Sequence, residues 1–170
     1  MNKNEFLLPD DLVAKAREVI DANRRAGRRI AVAESCTGGL VCAALTEIAG
    51  SSDVLEAGYV TYSNSAKMSE LNVCLDVVET FGAVSVATAW AMAQGALEAS
   101  GADIAVAVTG IAGPDGGTEQ KPVGTVVFAR AERKAGPDEV VADQKLFDAN
   151  EGRSGIRRQA ALCALELLLP

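Results

Sequence analysis

The sequence contains no histidine. That absence removes every Ser-His-Asp and Cys-His catalytic arrangement, together with the zinc sites that need an imidazole. The four cysteines, Cys36, Cys42, Cys74 and Cys163, form no CxxC pair and mostly stand among apolar neighbours. They read as free thiols of a reducing compartment rather than as disulfides. Positive charge is also in deficit. A net charge of -7 argues against a broad nucleic-acid or anionic-membrane surface. No segment is long and apolar enough to span a bilayer, and the start, MNKNEFLLPDDL, lacks the apolar core of a signal peptide. The cytoplasm is therefore the expected location, with neither membrane nor nucleic acid as partner. Neither the GxxxxGK[ST] order of an ATP-binding loop nor a dinucleotide fingerprint occurs. No cofactor and no metal are expected.

What is present suits one soluble α/β domain. The chain has 170 residues, 49% apolar and 23% charged, enough for one sizeable core. Residues 1–9 read as a tail and 10–168 as the domain. Pro9, Asp10 and Asp11 open a helix in which Leu12, Ala16, Val19, Ile20 and Asn23 recur at helical spacing, and Gly27 stops it. Residues 29–33 have the length and apolarity of a strand, and a helix is expected from about Thr37 to before Gly50. GYVTY, residues 58–62, reads as a strand. SNSAKMSEL, Cys74–Phe81 and a long stretch capped by Ser85 read as helices. The run ADIAVAVTG has the continuous apolarity of a strand buried on both faces. Residues 125–130 and 139–146 read as strands, antiparallel neighbours across a Gly-Pro turn, and Ile156 to Leu167 as a last helix. Helices before, between and after apolar strands predict a three-layer α/β/α sandwich around a mixed sheet.

Polar, reactive groups gather where the strands end. AESCTGGL, residues 33–40, follows the first strand and precedes a helix. Ser35 there can be held rigidly as a nucleophile or can simply cap the helix. Backbone N–H groups around Cys36, Thr37, Gly38 and Gly39 could receive an oxyanion or a phosphate. Cys36 reads as a packed or loop-lining thiol. Glu34 either bonds loop amides or is a solvated strand-end carboxylate. A second loop, TGIAGPDGG, could bring Thr109 and the amides from Gly110 to Gly113 toward the first. Arg153 and Arg157 are four apart, so a helix can present both on one side to an anion, whereas Arg158 points elsewhere.

Three ordered blocks, IAVAESCTGGLVCAALTEIAGSSDVLEAGYVTYSNSAK, GAVS and AVTGIAGPDGGTEQKPVGTVVFA, resemble the C-terminal domain of the competence-damage-inducible protein family. As a stand-alone chain the domain resembles the bacterial nicotinamide-nucleotide amidohydrolases. The resemblance implies an α/β/α fold, usually in a homodimer. It implies deamidation of nicotinamide mononucleotide, a small-molecule nucleotide substrate, to nicotinate mononucleotide and ammonia. It places the nucleophile at Ser35, the base at Lys67 in YSNSAK and a supporting tyrosine at Tyr62, and it matches Arg153 and Arg157 to the family's terminal Arg-x-x-x-Arg, with Arg157 favoured. A lysine serves as base only if burial or positive neighbours lower its pKa from about 10.4 toward neutrality. Two other readings stay open on the residues alone: a non-catalytic nucleotide-sensing or assembly domain, and a hydrolase of another small amide such as free nicotinamide.

Overall fold

The alternation in IAVAE and IAVAVTG governs how the layers stack. In each strand isoleucine and valine point to one side of the sheet and alanines to the other. A computed structural model describes residues 6–136, 139 and 141–170. Residues 1–5 of the expected tail, Pro137 of the expected turn and residue 140 of the last expected strand lie outside the described residues.

Helix α1 (Asp10–Ala26) leads into β1 (Ile30–Glu34), α2 (Leu40–Thr46), a short turn of 3-10 helix (Ser51–Asp53) and β2 (Leu55–Val60). Then come α3 (Asn64–Leu71), α4 (Leu75–Phe81), α5 (Val86–Ser100) and β3 (Ile104–Gly110). β4 (Thr125–Glu132), β5 (Val141–Leu146), a second short 3-10 turn (Ala149–Glu151) and α6 (Gly152–Leu167) complete the order. Among the described residues the sheet runs β2-β1-β3-β4-β5, with β2, β1 and β3 parallel and β4 and β5 antiparallel.

Ile30, Val32, Ile104, Val106, Val108, Val126 and Phe128 face a core built with α1, α2 and α6. Ala31, Ala33, Ala105, Ala107, Ala129 and Ala131 face α5, whose own Ala89, Ala93 and Ala96 meet them. Small residues on both surfaces let α5 lie close to the sheet, and the bulky face carries three helices instead. The result is a mixed three-layer α/β/α domain. Parallel crossovers are right-handed, so the step from β1 to β2 and the return from β2 to β3 place their helices on opposite faces. The order in which strands are added thus reverses between the parallel neighbours β1 and β3, and open α/β sheets form their ligand crevice at the carboxyl ends of the strands at such a point.

Two expected boundaries move. The helix expected near Thr37 begins at Leu40, because Gly38 (φ 59°) and Gly39 (φ 95°) turn the chain through a conformation that only glycine adopts freely. The strand expected at 58–62 is Leu55–Val60; it is an edge strand with alternate residues half-exposed, and Thr61 and Tyr62 leave it for the start of α3. Among the described residues no helix is long and apolar enough to cross a membrane.

α3 and α5 touch at Gly95, where an added Cβ would lie 2.0 Å from the Leu71 carbonyl oxygen. That neighbour is backbone and cannot swing aside. Gly95→Ala is expected to cost about 2–3 kcal/mol, as overpacking does, read as a lower urea midpoint with an unchanged m-value.

Candidate active site

The end of β1 is tied on both sides. The Ser35 N–H donates to the Val108 carbonyl of β3 at 2.9 Å, and the Thr61 N–H donates to the Glu34 carbonyl at 2.8 Å. The Glu34 side chain has no exposure to solvent. Its two carboxylate oxygens accept the amides of Gly39 (3.0 Å), Val41 (3.2 Å) and Cys42 (2.9 Å). Of the two sequence readings of Glu34, the structure therefore shows amide bonding: the carboxylate satisfies orphan donors at the start of α2.

Between Glu34 and α2 the chain makes a tight turn in which Gly38 N–H donates to Ser35 O. Arg157, reaching from α6, donates to the carbonyls of Cys36 (3.2 Å) and Thr37 (2.8 Å). In a trans peptide the N–H points opposite to its carbonyl, so the Thr37 amide is turned away from Arg157. Among the described residues no acceptor meets the amide of Cys36 or of Thr37. The buried Thr37 hydroxyl likewise has no partner.

Lys67 enters from the other side. Ser63 caps α3 by accepting the Ala66 N–H, and Lys67 and Leu71, one helical turn apart, face inward. At 1% exposure Lys67 is among the largest fully buried side chains of the protein. Its Nζ lies 3.1 Å from Ser35 Oγ and 2.8 Å from the Thr61 carbonyl oxygen. Burial pushes its pKa below the usual 10.5, because removing water penalises the charged form. The neighbouring Cys36 thiol is pushed up to about 11, again chiefly by burial, so it stays protonated near neutrality and is a poor nucleophile there.

Ser35, Cys36, Lys67 and Tyr62 line a cavity of about 210 Å³, joined from the end of β3 by Thr109 and Gly110 and from α6 by Arg153. Thr109 is buried and donates to the Ala83 carbonyl, which fixes the GAVS turn at the cavity wall. Arg153 spans the mouth, donating to the Gly113 carbonyl at 2.7 Å and to Tyr62 Oη at 2.8 Å. Two grooves elsewhere are larger, about 380 and 450 Å³, but neither joins a hydroxyl to a buried amine.

The sequence-predicted residues therefore sort by place. Glu34, Gly38 and Gly39 shape the turn, and Arg157 braces it from behind. The preference for Arg157 over Arg153 is reversed in geometry, since Arg153 lines the cavity. Arg158 pairs with Asp11 on the surface. Tyr62 is 60% exposed, and its hydroxyl meets Arg153; among the described residues no hydrogen bond joins it to Lys67. The support for Lys67 that sequence reasoning missed is the carbonyl of Thr61, a backbone group with no side-chain signature. Asn64, Ala83, Val84 and Ala112 also line the cavity; the quoted GAVS block was the available signal for two of them. Among the described residues no three cysteine, aspartate or glutamate side chains gather into a metal-holding group.

A family model described as the CinA C-terminal domain matches residues 13–170. A nicotinamide-nucleotide amidohydrolase, PncC, of Escherichia coli K12 is 44% identical over 158 residues, covering 93% of each chain. A CinA-like protein of Mycolicibacterium paratuberculosis is 48% identical over 94% of this chain but only 35% of its own length. Against the longer relatives of that kind the chain spans about a third of their length, 34–38%. The crystal structure of the competence/damage inducible protein CihA from Agrobacterium tumefaciens superposes with a TM-score of 0.90 at 47% identity, over 96% of both chains.

A buried amine with a lowered pKa costs stability until it is neutral. The folded state of Lys67 binds fewer protons than the unfolded state between its lowered pKa and about 10.5, so stability rises with pH across that window. Lys67→Met removes the penalty. The variant is expected to unfold at higher urea than the parent, with a margin that is largest on the acid side and fades as pH approaches 10.5. Urea titrations across that range check it.

Proposed function

The chain belongs to the CinA C-terminal domain family, and on that footing we propose that it hydrolyses the carboxamide of nicotinamide mononucleotide to nicotinate mononucleotide and ammonia. The observation that carries the proposal is the 3.1 Å contact between a buried lysine amine and the hydroxyl of Ser35 at the head of a cavity. The amidohydrolase relative of nearly equal length supports the substrate.

In this reading Lys67 is the base and Ser35 the nucleophile. The neutral Lys67 amine accepts the hydroxyl proton as Ser35 Oγ attacks the carboxamide carbon. The carbonyl oxygen becomes an oxyanion, received by the free amides of Cys36 and Thr37. Lys67 returns its proton to the departing nitrogen, and ammonia leaves an ester on Ser35. Water then attacks the ester, with Lys67 taking its proton, and nicotinate mononucleotide departs as the serine is restored. The Thr61 carbonyl holds one amine hydrogen throughout, which aims the nitrogen lone pair at Ser35.

A depressed lysine pKa also suits this substrate. The pyridinium ring is cationic, and a charged ammonium beside it would repel it; a neutral amine does not. Ala83, Val84 and Ala112 offer the ring an apolar wall. Arg153 at the mouth is the donor for the phosphate, with a planar fork suited to its oxygens, and Tyr62 positions that arginine. Arg157 acts through the turn rather than on the ligand. Glu34, Gly38, Gly39, Thr109, Gly110 and Gly113 shape the loops that face the substrate. We take residues 10–168 as the catalytic domain, a homodimer as the working assembly and the cytoplasm as its place.

The test is ammonia release from nicotinamide mononucleotide, its dephosphorylated riboside and free nicotinamide. Ser35→Ala is expected to lose at least about 1,000-fold in kcat and Lys67→Met about 100- to 10,000-fold. Arg153→Ala should mainly raise KM for the phosphorylated substrate. The rate should climb with pH as Lys67 loses its proton, with a midpoint below 10.5, and that limb should vanish in Lys67→Met. Equal turnover of free nicotinamide would point to a general small-amide hydrolase. Binding without turnover would point to a nucleotide sensor.

A further inference from the structure

Among the described residues the sheet ends at β5 in an open edge. Val141 is 49% exposed and Leu146 67%. Successive residues of an antiparallel strand turn their backbone groups to alternate sides. Thr125 O accepts the Ile111 N–H and Arg133 N–H donates to Asp103 O, so the odd residues of β4 bond to β3. On the other side Gly124 O accepts the Phe147 N–H. With Val126 opposite Lys145 and Phe128 opposite Asp143, the odd residues of β5 bond inward. Ala142, Gln144 and Leu146 therefore turn their N–H and C=O groups out of the sheet.

We propose that a second copy of this chain docks on that edge, the two β5 strands pairing antiparallel about a twofold axis at Gln144 and joining the sheets into one. The inference rests on the homodimer proposed above and specifies its surface. The register follows from the sequence. Outward-turned residues must oppose outward-turned residues, so a symmetric pairing near the middle of the strand centres on residue 143, 144 or 145. The first sets Asp143 against the partner's Asp143 and the last sets Lys145 against the partner's Lys145; like charges directly opposite are destabilising. Centred on Gln144, Asp143 opposes the partner's Lys145, and Lys145 the partner's Asp143. Ala142 then meets the partner's Leu146, Val141 meets the partner's Phe147, and the two Gln144 amides can bond each other. Every cross-strand pair is complementary.

The face above the strand agrees. Asp143 and Lys145 stand on the side covered by α1 and α6, beside the groove of about 380 Å³. Phe128, Leu162 and Leu167 floor it. Strand pairing alone makes a polar contact, and stable interfaces add an apolar centre. This groove supplies one along the same edge.

Sedimentation of the full chain over a range of concentrations tests the proposal. The parent is expected to be dimeric. Asp143→Lys and Gln144→Pro should each raise the dimer dissociation constant at least tenfold; the proline removes only an outward N–H and leaves every bond to β4. Combining Asp143→Lys with Lys145→Asp should restore the parent value, and a urea midpoint for Asp143→Lys close to the parent's shows that the single variant folds. A monomeric parent overturns the homodimer and this surface together. A dimeric parent whose dissociation constant is unmoved in both single variants overturns the surface and leaves the homodimer standing. A double exchange as weak as Asp143→Lys alone overturns the register.

Discussion

A carboxylate without access to water, Glu34, determines the shape of the turn after β1. Burying it is tolerable only because three amides of the following helix start close on it. Those amides come from Gly39, Val41 and Cys42, so the helix cannot begin until the chain has doubled back through Gly38 and Gly39. The residues trapped in between, Ser35 to Thr37, are held by their ends. Their inward carbonyls are then taken by Gly38 and Arg157, and among the described residues the amides of Cys36 and Thr37 are left without protein acceptors. One internal cap thus places a hydroxyl and two donors side by side, at the point where β1 and β3 part company.

Charge is distributed against the mean. The chain carries a net -7, yet the cavity and the turn behind it hold Lys67, Arg153 and Arg157. These cations have different tasks. Arg157 spends its donors on protein carbonyls. Arg153 also bonds a carbonyl and a phenol, but it does so at a mouth where a phosphate can compete for the same fork. Lys67 is the exception, a cation carrier placed where helix periodicity would put a leucine.

Much of this is legible in the amino-acid sequence. The helix and strand order followed from periodicity and caps: Asp10 and Asp11 at the start of α1, Ser85 at α5 with its hydroxyl accepting Thr88 N–H, unbroken apolarity in β3. Ser35 and the two loops could be placed at strand ends because a parallel sheet sends its crossovers from there. The Arg153–Arg157 order could not be read. Helical spacing says that the two residues share a side of α6, but it does not say which one meets the turn and which the mouth. The Thr61 carbonyl was equally hidden, since any residue type supplies one. The start of β2 was missed because Leu55, Glu56 and Ala57 have little strand preference, and pairing with β1 overrides it.

The absence of histidine gives the site its remaining logic. An imidazole would titrate near neutrality without help, whereas a lysine needs its water removed. Removing that water requires a closed core position, and Lys67 has one, between Leu71 on its own helix and the end of β1. A buried amine destabilises the fold at every pH at which it would be charged, so the same desolvation that would ready Lys67 for its proposed role as base weakens the protein. Thr61 and Ser35 offset part of that cost, because each meets the nitrogen whether or not it carries the extra proton. The amine is thereby fixed in position in both protonation states. In the proposed hydrolysis Lys67 takes a proton and then returns it to the leaving nitrogen, and that role needs such constancy more than it needs a particular resting charge.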